Sequence, residues 1–164
     1  MDNTSVNTDK MTIVMFSGDL DKALAGFILA TTGASMGMDV QIFFTFWGLN
    51  IIKKNSGKIK SKGILRKMFN TLNRGGSKRL TLSKFNMMGL GPVMIGKLMK
   101  ETKTPSMDEF IVMAHDMGVK FLACSTSCGL MGLDESAFRS EVDETVGAAY
   151  FLNEARKSKI SLFI

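Results

Sequence analysis

Apolar residues in this chain gather into short runs broken by polar, glycine-containing stretches, and their spacing alternates between that of strands and that of helices. Thr12–Phe16 (TIVMF) is a run of strand formers ended by Ser17-Gly18-Asp19. In Leu20–Met36 the apolar residues Leu24, Phe27, Ile28 and Thr31 recur at helical spacing, with Asp19 or Asp21 placed to cap the start and Gly37 to stop the end. Val40–Phe46 (VQIFFTF) is apolar enough for a strand buried on both faces. Strand, helix and strand in so short a span form a βαβ unit, which demands a parallel sheet and a right-handed crossover.

The middle of the chain is less regular. Leu49–Lys54 continues as a short helix, and Asn55–Lys62 (NSGKIKSK) is a polar loop. Ile64–Leu72 places Leu65, Met68, Phe69 and Leu72 on one side of an amphipathic helix with a basic back. Arg74–Arg79 (RGGSKR) is a flexible break. Methionines and glycines then crowd around Pro92 between Phe85 and Met99, an adaptable sulfur-rich segment.

Regular periodicity returns at Pro105-Ser106. These residues open a helix whose inner stripe is Phe110, Ile111, Ala114 and Met117, with Asp108 and Glu109 in its first turn. Val119–Ala123 (VKFLA) is a buried strand that runs into Cys124. A short strand is expected near Glu141–Thr145, a helix over Val146 to Lys157 and a last strand at Ile160–Ile164. The pattern predicts an α/β fold with a mostly parallel sheet flanked by helices. It reads as a tail over residues 1–9 and a single domain over 10–164, with residues 53–103 as a basic, Met-rich helical excursion.

Composition changes this picture little. The 164 residues, 45% hydrophobic and 22% charged, suffice for an ordinary core without disulfides or a structural metal. No apolar stretch approaches the ~18 residues of a membrane span, and no secretory pattern is visible, so a soluble, cytoplasmic protein is expected. Charge adds more. Residues 53–103 hold 14 Lys and Arg against Glu101, a net of +13, whereas the remainder carries −7 within a total of +6. Such a segment is either a solvated face or a surface that attracts an acidic partner or an anionic membrane.

In an open parallel sheet, sites form in the loops beyond the carboxyl ends of the strands. That rule selects Ser17-Gly18-Asp19, Thr45–Leu49 (TFWGL) and Cys124–Met131 (CSTSCGLM), and only the last carries a strong nucleophile. A strand-end cysteine beside free backbone N–H groups favours its thiolate, and a thiolate can hold a second sulfur as a persulfide and exchange it with another thiol. Ser125, Thr126 and Ser127 supply hydroxyls to such an anion. Cys128 serves either as a resolving thiol or as a small buried apolar residue. Ser17, Gly18, Trp47 and Gly48 are candidate pocket-lining residues, although Trp47 fits the core equally well, as do Phe43, Phe44 and Phe46. A metal would need more ligands than the two cysteines, and His115 lies on a helix whose inner stripe is already filled. Helix capping accounts for Asp19 and Asp21, and the first loop lacks the glycines of a nucleotide-binding turn, so no cofactor is expected.

The segments Lys10–Phe16, FFTFWGL at Phe43–Leu49, LSKFNMMGLGPVMIGKLMK at Leu82–Lys100, MGVKFLACSTSCGLMGL at Met117–Leu133 and VGAAYFLNEARKSKISLFI at Val146–Ile164 together resemble the DsrE/DsrF-like sulfur-relay family, most closely its larger branch often labelled peroxiredoxin-like. The resemblance implies a DsrE/flavodoxin-like three-layer fold and assembly into trimers or hexamers. It also implies a sulfurtransferase or sulfur carrier in which a strand-end cysteine, here Cys124, takes sulfane sulfur as a persulfide. Its implied partners are a rhodanese-type donor and a small TusA-like carrier, with no nucleic acid; the basic segment adds a peripheral membrane contact as an option. Where the branch has methionine and an acid, this chain has Cys128 and Gly129. Two other readings stay open: a binding or assembly module with a basic Met-rich surface, and a thiol-redox switch through Cys124 and Cys128.

Overall fold

The computed structural model describes residues 9–56 and 63–164. Residues 1–8 of the expected tail and 57–62 of the expected polar loop lie outside the described residues. The described elements are β1 (Lys10–Met15), α1 (Leu20–Ser35), β2 (Asp39–Phe44), α2 (Leu49–Ile52), α3 (Ile64–Leu72), α4 (Leu90–Glu101), α5 (Met107–Asp116), β3 (Lys120–Cys124), α6 (Ser125–Met131), β4 (Glu144–Val146), α7 (Ala148–Ala155) and β5 (Ile160–Phe163). Asp9 already belongs to the folded unit, because its carbonyl accepts the Asp39 N–H at 2.9 Å and its carboxylate meets Lys159 at 2.5 Å.

All five strands pair in parallel, in the order β4-β3-β2-β1-β5. The register sets Ile13 between Ile42 and Leu162, and Cys124 beside Val146. Successive strands are neighbours as far as β4; α7 then returns the chain across the sheet to β5 beside β1. Strand alternation divides the core between the two faces. On one face Ile13, Ile42, Phe44 and Phe121 pack with Phe27 and Ala30 of α1 and with Phe110, Ile111 and Ala114 of α5. The opposite face holds a smaller cluster, Phe43, Leu122, Cys124, Val146 and Phe151, in which Phe43 stacks on Phe151 of α7 at 4.6 Å. The fold is therefore the single-domain, parallel α/β arrangement that the apolar pattern predicts, in the three layers that the resemblance implies.

Several details differ. Ile28 and Met117, assigned to inner stripes, face solvent, because each lies at the edge of an apolar arc wider than the surface it covers. Phe43 and Phe44 are buried as expected, but Phe46 and Trp47 are 39% and 44% exposed, since β2 ends at Phe44 and the chain turns outward there. Asp19 holds the cap position of α1 without a side-chain bond to the helix; its carboxylate instead accepts the Ser17 hydroxyl and pairs with Lys22. Asp21 accepts the Ser83 N–H and hydroxyl. By contrast Ser106 caps α5 in a reciprocal box with Glu109. The Met-rich segment folds as α4, with Pro92 in its first turn where no backbone donor is lost.

The basic excursion packs against expectation. Helix α3 occupies Ile64–Leu72 as predicted, but Ile64, Leu65, Met68 and Leu72 point outward. Phe69 and Asn70 face the protein: Phe69 packs against the core, Asn70 donates to the Met131 carbonyl at 2.8 Å, and the exposed Arg66 lies along Gly132. Phe85, Met87, Met88, Leu90, Val93, Met94 and Leu98, in and before α4, are exposed too.

Candidate functional site

Strand β3 ends in Cys124, which also caps α6, so the thiol lies where a strand's last side chain meets a helix's first unpaired N–H groups. The residue is 5% exposed. Burial alone would push the thiol up, but the N–H and hydroxyl of Ser127, the Thr45 hydroxyl and the Thr126 N–H surround it, and their influence holds it below an ordinary thiol. The Thr45 and Ser127 hydroxyls are themselves bonded at 2.8 Å, so one of their two protons lies between them and the other is left for the sulfur. Ser127 is buried, whereas Ser125 and Thr126 lie at the surface, and Thr126 contributes its backbone rather than its hydroxyl.

The other strand-end candidates form a joint beside this site. Thr45 N–H donates to the Met15 carbonyl at 3.0 Å and Gly48 N–H to the Phe16 carbonyl at 2.8 Å, which ties the ends of β1 and β2 together. A Cβ on Gly48 would lie 1.9 Å from the Met15 carbonyl oxygen, and one on Gly18 2.6 Å from that of Trp47. Close backbone approach therefore explains both glycines. Ser17 is buried and bonds within its own turn, its hydroxyl to Asp19 and the Asp19 N–H back to it. Trp47 packs on Phe69 of α3, ring centroids 6.1 Å apart, and belongs to the wall between the joint and the excursion. Of the candidates, Ser127 is brought directly onto Cys124, and Thr45, selected only as part of its loop and not as a site residue, joins them. Its signal was its position: the first residue after β2, next to a strand that ends in cysteine.

Cys128 sits one turn along α6, is 4% exposed and belongs to the main core. It lines a cavity of about 490 Å³ together with Leu133, Asp134, Glu135, Ser136, Phe138 and Thr145. Burial, and then the negative charge of Cys124, push its thiol up to about 11, while Lys53 pulls the other way. Lys53 is 0% exposed, and burial lowers its ammonium to about 8 against the opposing influence of Cys128. Sequence reasoning placed this lysine in a basic segment read as either a solvated face or a partner surface; the signal of its burial was the fully buried Leu49, Ile51 and Ile52 just before it. Both cysteines are free thiols. No cluster of three metal-ligating side chains occurs among the described residues, and His115 is a half-exposed residue 3.9 Å from Asp143.

The DsrE/DsrF/DrsH-like family model matches residues 7–163. This chain belongs to that family. Two curated relatives agree in extent. The uncharacterized protein YrkE of Bacillus subtilis is 40% identical over 157 residues, covering 96% of this chain and 98% of its own. The sulfur carrier protein DsrE2 of Allochromatium vinosum is 33% identical over 165 residues, covering 94% and 98%. Among solved structures, the protein of unknown function MTH1491 from Methanobacterium thermoautotrophicum superposes with a TM-score of 0.55 at 11% identity, over 95% of this chain and 99% of that one, a likeness of fold alone. No described helix of this DsrE-like chain is long and apolar enough to cross a membrane.

Proposed function

We propose that this chain is a sulfur carrier whose Cys124 holds sulfane sulfur as a persulfide and hands it to a partner thiol. One observation carries the reading: a strand-end thiol held below its ordinary range by the N–H groups of Ser127 and Thr126 and by the linked hydroxyls of Ser127 and Thr45. Those donors stabilise the anion that attacks the outer sulfur of a donor persulfide. The new S–S bond forms as the donor's breaks, the electron pair leaves on the donor thiolate, and no external oxidant is consumed. The apolar walls of Phe43, Leu122, Val146 and Phe151 favour this chemistry by keeping water and stray reductants from the bound sulfur. The sulfur-carrier name of the DsrE2 relative supports the same assignment. A rhodanese-type donor and a small TusA-like acceptor are the partners this reading calls for.

Intact-protein mass spectrometry after incubation with polysulfide tests it. The wild type is expected to gain the mass of one sulfur, reversible by dithiothreitol, and Cys124→Ser is expected to gain none. Equal loading of Cys124→Ser refutes the assignment.

The outward apolar faces of α3 and α4 favour a second feature, packing against a second copy of the chain. A helix that buries its asparagine and exposes its isoleucine, leucines and methionine is folded for a partner.

A further inference from the structure

Helix α4 is barely seated on its own copy. Gly91 is its one buried residue, and Leu90, Val93, Met94 and Leu98 are each more than half exposed. Helical spacing sets the exposed Lys97 and Lys100 on the same outward arc as Val93, and neither pairs with a carboxylate among the described residues. The chain enters this helix through Phe85, Met87 and Met88, whose φ angles of 56°, 43° and 54° are left-handed. Bulky residues hold such conformations where packing enforces them, yet these three side chains are left largely uncovered.

Helix α5 presents the opposite charge on a similar pattern. An open groove of about 500 Å³ is lined by its Val112, Met113 and Met117 together with Glu109 and Asp116. Val112 and Met117 are 43% and 38% exposed. The cation at this groove, Arg139, is held within the copy by Asp108 and Glu141, and Lys78 lies 3.7 Å from Asp108. Glu109 and Asp116 remain as exposed carboxylates with no basic partner among the described residues. On α4 a valine is followed by lysines four and seven positions on; on α5 a valine stands three positions after a glutamate and four before an aspartate. Residues 102–106 join the two helices directly, and both arcs face outward, so neither covers the other within one copy.

We infer that α4 of one copy docks in the α5 groove of a second copy, head to tail, with Lys97 and Lys100 meeting Glu109 and Asp116 around an apolar seam. The inference rests on the packing against a second copy proposed above and names the surface that receives the helix. Charge decides the polarity of the contact. Residues 53–103 carry +13 and the rest of the chain −7, so two basic faces laid together oppose lysine to lysine. Two α5 grooves laid together oppose carboxylate to carboxylate. Helix on groove instead brings each lysine to an acid and buries valine, leucine and methionine from both sides. Such a contact is heterologous: each copy lends a helix to one neighbour and a groove to another, and closure gives a ring. An anionic bilayer would also attract the lysines, but it has no use for the acidic groove, so a variant of the groove separates the two occupants.

The test is light scattering of the whole chain and two double variants, with folding checked by circular dichroism. Lys97→Glu with Lys100→Glu blocks the helix, and Val112→Lys with Asp116→Lys blocks the groove. The wild type is expected to scatter as a multiple of 18.0 kDa and each variant as one chain. An equimolar mixture of the two variants is expected to assemble again, because the intact α4 of one meets the intact groove of the other. A groove variant that assembles alone like the wild type overturns the head-to-tail contact and leaves packing against a second copy standing; a mixture that stays at one chain does the same. A wild type that scatters as one chain removes both. Where a variant fails to fold, carbodiimide cross-linking of mixed heavy-isotope-labelled and unlabelled wild type decides. Links from Lys97 or Lys100 to Glu109 or Asp116 are expected between differently labelled chains, and the lack of such mixed links overturns the inference.

Discussion

Thr45 matters because a single hydroxyl, placed just beyond the end of β2, reaches both Cys124 and Ser127. Replacing it with valine keeps the shape and removes one donor to the thiolate. The acidity of Cys124 should fall, so the pH midpoint of its alkylation should move upward and its rate at neutral pH should drop about threefold or more. An unchanged midpoint in Thr45→Val would show that the Ser127 and Thr126 donors suffice. The two cysteines, four positions apart and chemically identical in the sequence, end with opposite tendencies because one meets unpaired N–H groups and the other meets the core. That difference was half legible: the strand running into Cys124 located the first thiol, while the cavity and the buried lysine beside the second arise from residues 52–54 pairing with 137–139, a long-range contact no local pattern announces.

Among the elements, strands β1, β2 and β3 were legible because buried parallel strands are apolar on both faces, and α3 because its polar and apolar arcs are so cleanly separated. What could not be read was which arc of α3 faces inward. The docking of Asn70 on the Met131 carbonyl and of Phe69 on Trp47 decides that, and it leaves most of the apolar arc outside. The short strand β4 starts three residues later and ends one residue later than expected, since so brief an edge strand follows its pairing with β3 more than its own propensity. Helix α7 is tied to the sheet by charge: Glu154 lies between Lys10 of β1 and Lys157, and hydrogen bonds from these two, Lys10 foremost, hold its carboxyl at about 2. A carboxylate depressed in the folded state contributes stability at neutral pH that disappears as pH falls from about 4.5 toward 2. Thermal unfolding should therefore weaken across that window in the wild type. In Glu154→Gln the midpoint should start lower at pH 7 and decline less steeply, and parallel curves for the two proteins would contradict the assignment.

For the whole molecule, the uneven coverage of the surface is the main fact. Helices α1 and α5 seal one face of the sheet, whereas α4 leaves Leu90, Val93, Met94 and Leu98 uncovered near Lys97 and Lys100, and α3 leaves a row of isoleucine, leucine and methionine uncovered near Arg66 and Lys67. If a second copy covers this row, light scattering should give a multiple of the 18.0 kDa chain, and Met68→Glu should reduce it to one chain with unchanged circular dichroism. A wild-type protein that scatters as a single chain would reassign the surface to a different partner, such as an acidic carrier or an anionic bilayer.

Trp47, the single indole of the sequence, rests against Phe69 with nearly half its surface in water. Its fluorescence is thus a native optical gauge of the contact between the sheet's working edge and the outlying helix. Whatever settles on that helix, or pulls it away, will alter the light this one side chain emits, with no dye attached.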